Sequence, residues 1–234
     1  MIPWIKSARD FPAVETARIE PNGLLCMGGN LEPETILTAY SRGIFPWYSD
    51  GQPILWWSPD PRMVLFPDEF KVSKSLAKTI RSGKFEIRFD SAFANVMAAC
   101  AAPRGVHSGT WILPPMLAAY TRLNEIGFAH SAEAWRDGEL VGGLYGIAMG
   151  RMFYGESMFA RETDASKVAF VAMVEKLKAD GFGLIDCQQE TNHLASFGAR
   201  PIPRKEFTQQ LQELITLSSD NSPISYWTNQ HLAG

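Results

Sequence analysis

From residue 63 onward the apolar positions switch between two periods. The run DASKVAFVAMVEKLKA (164–179) spaces Phe170, Met173, Val174 and Leu177 three and four apart, the mark of one buried helical face. Thr163 or Asp164 is its expected cap and Gly181 its stop. Pro114-Pro115 opens another helix, with Met116, Tyr120, Leu123 and Ile126 on one face and Gly127 as its end. Helices are also predicted over 32–42, ended by Gly43, over 91–101 and from 203 to 217. Ser73 caps one more, which runs to about 82 and carries an apolar stripe of Val72, Leu76 and Ile80. Strands are predicted over 63–66, 85–89, 129–135, 140–148, 151–158 and 183–186, with turns at Asp137-Gly138 and Gly150. The three strands 129–158 form an antiparallel meander. The strand–helix–strand step 151–186 makes a parallel pair with a right-handed crossover. The class is α+β, a mixed sheet flanked by helices.

The first 62 residues read differently. They are rich in Pro, Gly and Trp. The stretch GIFPWYSDGQPILWWSPDPR (43–62) alone holds three tryptophans and four prolines, which stiffen the backbone and can hold aromatic faces in place. We take 1–62 as a small N-terminal domain and 63–234 as the catalytic domain. The region 104–108 reads as a loop, and the tail 218–234 is polar and weakly patterned.

A composition of 46% hydrophobic and 20% charged residues is that of an ordinary globular chain. Cys26, Cys100 and Cys187 are odd in number, with no CxxC, which argues against a disulfide framework or a zinc site. No signal-peptide core opens the chain, and no apolar run approaches the roughly 20 residues of a membrane helix. A cytoplasmic location is expected. The net charge of −3 hides one exception. Residues 71–88 hold six basic residues against Glu86, a local +5. Lys71, Lys74, Lys78 and Arg81 fall on one helical face. That face is either a solvated surface or, with Lys84, a track for nucleic-acid phosphates.

Candidate chemistry collects late in the chain. GLIDCQ (183–188) ends a buried run in Asp186 and Gln188, two residues apart and so expected on one side of a strand. Glu156 is the sole acid in the strand before it. If the two strands are neighbours, the carboxylates converge on one site, unless each is capped by an amide or an arginine. Leu144, Phe153, Met158, Phe170, Met173 and Ile185 either pack as core or line an adaptable apolar pocket beside those acids. Trp47 and Trp111 are candidates to stack on a base, as are Trp56 and Trp57. His107, His130, His193 and His231 lie too far apart to suggest a metal, GxSxG is absent, and Cys187 reads as a buried inert thiol.

The order of elements resembles the acetyl-CoA-dependent N-acetyltransferase (GNAT-like) fold. There the fourth strand is followed by a glycine-bearing pyrophosphate loop; the matching SMFARETDASK (157–167) has no glycine, which argues against coenzyme A. Longer motifs are more specific. PNGLLCMGGNL (21–31), AYSRGIFPWYSDGQPILWWSPDPRMVL (39–65), GTW (109–111), AHSAEAW (129–135), LVGGLYGIAMGRMFYGESMF (140–159), ASK (165–167), LIDCQ (184–188) and HLASFGARPIPRKEF (193–207) together resemble the bacterial leucyl/phenylalanyl-tRNA–protein transferases.

That resemblance implies transfer of Leu or Phe, and less well Met, from aminoacyl-tRNA to proteins beginning with Arg or Lys. The product is marked for degradation by the N-degron pathway. It implies a monomer that needs no metal, ATP or coenzyme A. It makes Asp186 and Gln188 the catalytic pair, Asp186 polarising Gln188. Glu156, Tyr40 and Tyr120 become substrate-binding residues. Trp47 and Trp111 hold the terminal adenosine, and the apolar cluster encloses the Leu or Phe side chain. Lys71, Lys74, Lys78, Arg81 and Lys84 track the acceptor stem. An acyl-CoA-dependent acetyltransferase or a non-catalytic tRNA- or peptide-binding module are the alternatives, separable by acetyl-CoA binding and by turnover.

Overall fold

Among the described residues, two sheets carry the fold. A computed structural model describes residues 1–102 and 110–215. The predicted loop 104–108 with His107, the last residues of the final helix, and the tail with His231 lie outside the described residues.

The N-terminal segment is more regular than its composition suggested. β1 (Trp4–Ile5), β2 (Leu24–Gly28), β3 (Phe45–Pro46) and β4 (Leu55–Trp57) form a four-stranded sheet in the order β1-β2-β4-β3, with α1 (Pro33–Tyr40) between β2 and β3. These strands escaped prediction because they are two to five residues long, too short to show a period. β5 (Arg62–Leu65) then enters the second sheet. The elements after it are α2 (Lys74–Arg81), β6 (Glu86–Phe89), α3 (Phe93–Ala101), α4 (Pro114–Glu125), β7 (Ala129–Arg136), β8 (Glu139–Met149), β9 (Met152–Ala160), α5 (Ala165–Ala179), β10 (Leu184–Gln188), α6 (Asn192–Ala195), β11 (Arg200–Ile202) and α7 (Arg204–Leu214). The second sheet has seven strands in the order β11-β5-β10-β9-β8-β7-β6. The predicted meander β7–β8–β9 is antiparallel, and β9 and β10 are parallel. The three-residue β11 was not foreseen.

Alternation along the strands sorts the side chains into two cores. Val64, Tyr145, Ile147, Met152, Tyr154 and Leu184 pack with α3, α4, α7 and the N-terminal segment. Met63, Leu65, Leu144, Phe153 and Ile185 pack under α5. The first core runs without a break across residues 62 and 63, joining Ile36, Tyr40 and Trp56 to Phe93, Met116 and Tyr120.

Helix boundaries fell close to prediction. The Ser73 hydroxyl accepts the Leu76 N–H, a side-chain cap on α2. Asp164 occupies the cap position of α5 in a left-handed conformation (φ 68°) without capping it. Its carboxylate instead accepts from Lys167 and Thr79. On α2 only Leu76 is buried; Val72 and Ile80 are each 36% exposed. The expected apolar stripe is one residue deep, because α2 touches the body along a single line, chiefly α5. Among the described residues no helix is long and apolar enough to cross a membrane.

Candidate active site

The pairing of β9 with β10 stops early. Leu184, Ile185 and Asp186 lie opposite Met152, Phe153 and Tyr154, and there the ladder ends while β9 continues to Ala160. The strands part, and a cavity of about 430 Å³ opens between them. Gly155, Glu156, Ser157 and Met158 line one side; Ile185, Cys187, Gln188 and Gln189 line the other. Phe45, Pro46 and Trp47 of the N-terminal segment, Trp111, and Thr191, His193 and Leu194 around α6 complete the wall.

Glu156 and Gln188 both sit at β-bulges, irregularities that re-aim side chains near sites. On β9 the register slips so that Ser157 opposes Tyr145 while Gly155 opposes Gly146, leaving Glu156 as the extra residue. Gly146 must be glycine: a Cβ would strike the Tyr154 carbonyl and lie 2.5 Å from the Phe153 ring. On β10 Asp186 opposes Val64, yet Gln188 opposes Met63. Gln188 adopts φ 61°, unusual for a residue with a Cβ.

This second bulge overturns the expectation that Asp186 and Gln188 share an outlook. Asp186 is fully buried and does not line the cavity. Its Oδ1 accepts from Arg62 Nε at 2.8 Å and its Oδ2 from Arg62 Nη2 at 2.7 Å, a bidentate ion pair. Oδ1 also accepts the Gln188 backbone N–H at 2.8 Å. The carboxylate that meets the Gln188 side chain is Glu156: Gln188 Nε2 donates to Glu156 Oε1 at 3.1 Å. Asp186 therefore touches Gln188 through the backbone N–H and not through the side-chain amide, and it is capped by an arginine, the other option open in the sequence.

Glu156 is held from behind. Tyr40 Oη donates to its Oε1 at 2.6 Å and Tyr120 Oη to its Oε2 at 3.4 Å, while the two hydroxyls lie 2.6 Å apart. Burial raises the Glu156 carboxyl to about 8, helped by the Asp186 charge and opposed by Tyr40, Tyr120 and Arg62. Burial, reinforced by the Glu156 charge, pushes both tyrosines well above the usual phenol range. The result is a carboxyl that holds its proton at neutral pH and ionises just above it, facing a cavity.

The structure splits the expected site residues. Trp47, Trp111, Leu144, Glu156, Met158, Phe170, Ile185 and Gln188 line the cavity. Phe153 and Met173 do not; both are fully buried in the core under α5. Tyr40 and Tyr120 are also fully buried and reach the cavity only through Glu156. Sequence reasoning missed Arg62, Phe45, Tyr145, Gln189 and His193. Burial first, then Lys167, lowers the His193 pKa, and burial first raises that of the Cys187 thiol, keeping it unreactive.

Lys71, just before α2, and Lys74, Lys78 and Arg81 on it are exposed, and none of the four pairs with a carboxylate among the described residues. Lys84 differs: its ammonium bonds Glu162 at 3.0 Å and lies 4.7 Å from the centre of the Phe85 ring. It is the least available of the five.

Residues 64–212 match the family described as leucyl/phenylalanyl-tRNA protein transferase, and residues 29–60 match the N-terminal domain of the same family. The chain is 62% identical over 215 residues to a leucyl/phenylalanyl-tRNA–protein transferase of Nitrosospira multiformis, covering 92% of this chain and 93% of that one. It is 63% identical to that of Chromobacterium violaceum, covering 92% of each chain. A solved structure titled "The structure of L-PGS from Bacillus licheniformis" overlaps 80% of this chain and 64% of its own, at 12% identity and a TM-score of 0.40. The chain belongs to the leucyl/phenylalanyl-tRNA–protein transferase family.

Proposed function

We propose, from that membership and from the cavity, that this protein transfers leucine or phenylalanine from aminoacyl-tRNA to the N-terminal α-amino group of proteins that begin with Arg or Lys. The product would enter the bacterial N-degron pathway in the cytoplasm. The observation that carries the reading is the Glu156–Gln188 pair set among Leu144, Met158, Phe170 and Ile185 in one cavity. An apolar amino-acid side chain fits those walls, and a cationic amine fits the acid.

The reaction is an ester aminolysis. The acceptor amine attacks the carbonyl carbon of the aminoacyl ester, the bond to the adenosine 3′ oxygen breaks, and the proton lost by nitrogen ends on that oxygen. The ester is already activated, so most of what the protein supplies is position. The Gln188 amide orients the amine or the carbonyl. Glu156 accepts the proton in transit, its raised pKa matched to an α-amine near 8. Trp47 and Trp111 sandwich the terminal adenosine, and the exposed lysines of α2 with Arg81 follow the acceptor stem. The sheet is read as acetyltransferase-like, with the parted strands holding the aminoacyl ester where that fold holds its thioester.

The test is direct. Purified protein, Phe-tRNA and an Arg-terminal peptide should yield the Phe-Arg peptide. Absence of product at low salt, together with a thermal shift on adding acetyl-CoA, would replace this reading with an acetyltransferase.

A further inference from the structure

We propose that Arg62 is a positioning residue for the transfer, acting through Asp186 to hold Gln188 and the Phe45–Trp47 wall in one geometry; this rests on the function proposed above. Arg62 is fully buried and does not itself line the cavity. All three of its nitrogens are engaged, two by Asp186 and Nη1 by the Gly43 carbonyl at 3.2 Å. Its guanidinium lies between two rings, 4.8 Å from the centre of Phe45 and 4.7 Å from that of Phe207. Phe45 leads through Pro46 to Trp47, all three on the cavity wall. Asp186 Oδ1, fixed by Arg62, takes the Gln188 N–H and so offsets the left-handed backbone that aims Gln188 at Glu156. One cation thus ties the N-terminal segment, α7 and the bulge of β10 together.

Stability alone does not account for such a pair. An apolar pair of similar volume is often as stable as a buried ion pair, because both ions must leave water. What a matched apolar pair cannot do is fork onto a carboxylate that also accepts a specific backbone amide.

The test compares Arg62→Lys, Asp186→Asn and Asp186→Ala. Lysine keeps the charge and loses the fork. Asparagine keeps an oxygen for the Gln188 N–H; alanine does not. Arg62→Lys should lower kcat on the order of 30- to 100-fold, with KM for Phe-tRNA changed less than about threefold. Asp186→Asn should retain more than about a tenth of wild-type kcat, with the pH profile displaced toward lower pH because the charge that helps raise Glu156 is gone, and Asp186→Ala should lose at least another order of magnitude in kcat. If Asp186→Asn does not fold with Arg62 left unpaired, Arg62→Gln with Asp186→Asn supplies a neutral pair and should show the same rescue. Wild-type kcat in Arg62→Lys, or equal loss in the asparagine and alanine variants, overturns the proposal. Amide hydrogen exchange at Gln188, read by NMR, needs no turnover. Faster exchange in Arg62→Lys supports the positioning role even if the wild type transfers nothing, a result that would sink only the functional reading; unchanged exchange overturns the positioning role itself.

Discussion

Replacing Glu156 by glutamine keeps the shape of the side chain and removes its charge, and the pH dependence of the effect is set by the structure. In the folded chain this carboxyl titrates near 8 instead of 4.5, with burial the main cause. The folded state therefore keeps a proton that the unfolded state releases. Stability is unaffected below the unfolded value, falls as pH rises above it, and levels off once the folded carboxyl also ionises near 8. Carried to pH 7 the linkage is worth about 3 kcal/mol. Glu156 is only half-buried, and water in the open cavity reaches it, so about 2 kcal/mol is the better figure. Glu156→Gln should then melt roughly 4–8 °C above the wild type at pH 7. The difference should shrink toward zero at pH 5 and reach its maximum above pH 8. Differential scanning calorimetry of both proteins from pH 5 to 9 reads this directly. Transfer should meanwhile slow, since no carboxylate remains to take the amine's proton. A melting difference that stays constant across the range, or a variant less stable than the wild type at pH 8.5, would refute the argument that a desolvated charge sits there.

Three further outcomes follow from the same geometry. Trp111→Ala should raise KM for Phe-tRNA about tenfold or more, in keeping with 1–3 kcal/mol for a base stacked on an aromatic ring; a melting point lowered sharply with KM unchanged would return Trp111 to the core. Lys74→Glu with Arg81→Glu should weaken tRNA binding and make its salt dependence shallower by about one unit of log–log slope for each phosphate that is no longer neutralised, read by filter binding between 50 and 200 mM salt. Gly142→Ala would place a Cβ 2.5 Å from that of Ala165 and 2.8 Å from the Ser166 nitrogen. The start of α5 must shift, at a cost of about 1–3 kcal/mol, visible as a lower melting point with transfer preserved at low temperature.

Much of the fold was legible because its longer elements obey one period each. The helices α4 and α5 and the strands of the meander were placed to within a few residues, and the parallel pairing of β9 with β10 followed from the crossover rule. The site was legible in its parts and not in its wiring. Glu156 and Gln188 were singled out as polar groups at the ends of apolar strands, and they do meet. What alternation could not show is that each lies at a bulge. One extra residue reverses the outlook of everything after it. That is why Gln188 turned away from the outlook of Asp186 and toward Glu156, leaving Asp186 as the buried partner of Arg62. Arg62 itself was hidden by its context, the end of a proline-rich stretch where a cation reads as exposed. Gly146 was the available clue: a glycine in the middle of a long buried strand signals a bulge or a close backbone approach.

The N-terminal segment supplies part of the cavity wall. The large sheet ends its β9–β10 ladder at Tyr154 and Asp186, and beyond that point it offers an acid and an amide with no wall on one side. Tyr40 supplies the shortest hydrogen bond to Glu156. Gly43 takes the third donor of Arg62, and Phe45 to Trp47 close the cavity. The Tyr154 hydroxyl donates back to the Tyr40 carbonyl at 3.0 Å, which fixes the end of α1 against β9. Each of these interactions crosses from the first 62 residues to the large sheet, and the buried apolar core crosses with them. A rigid-body displacement of the segment would have to break the Arg62–Gly43 bond and open that core together. The Phe45–Trp47 wall and the Glu156–Gln188 pair are therefore held by the same packing, and a change in one is transmitted to the other through Tyr40 and Arg62.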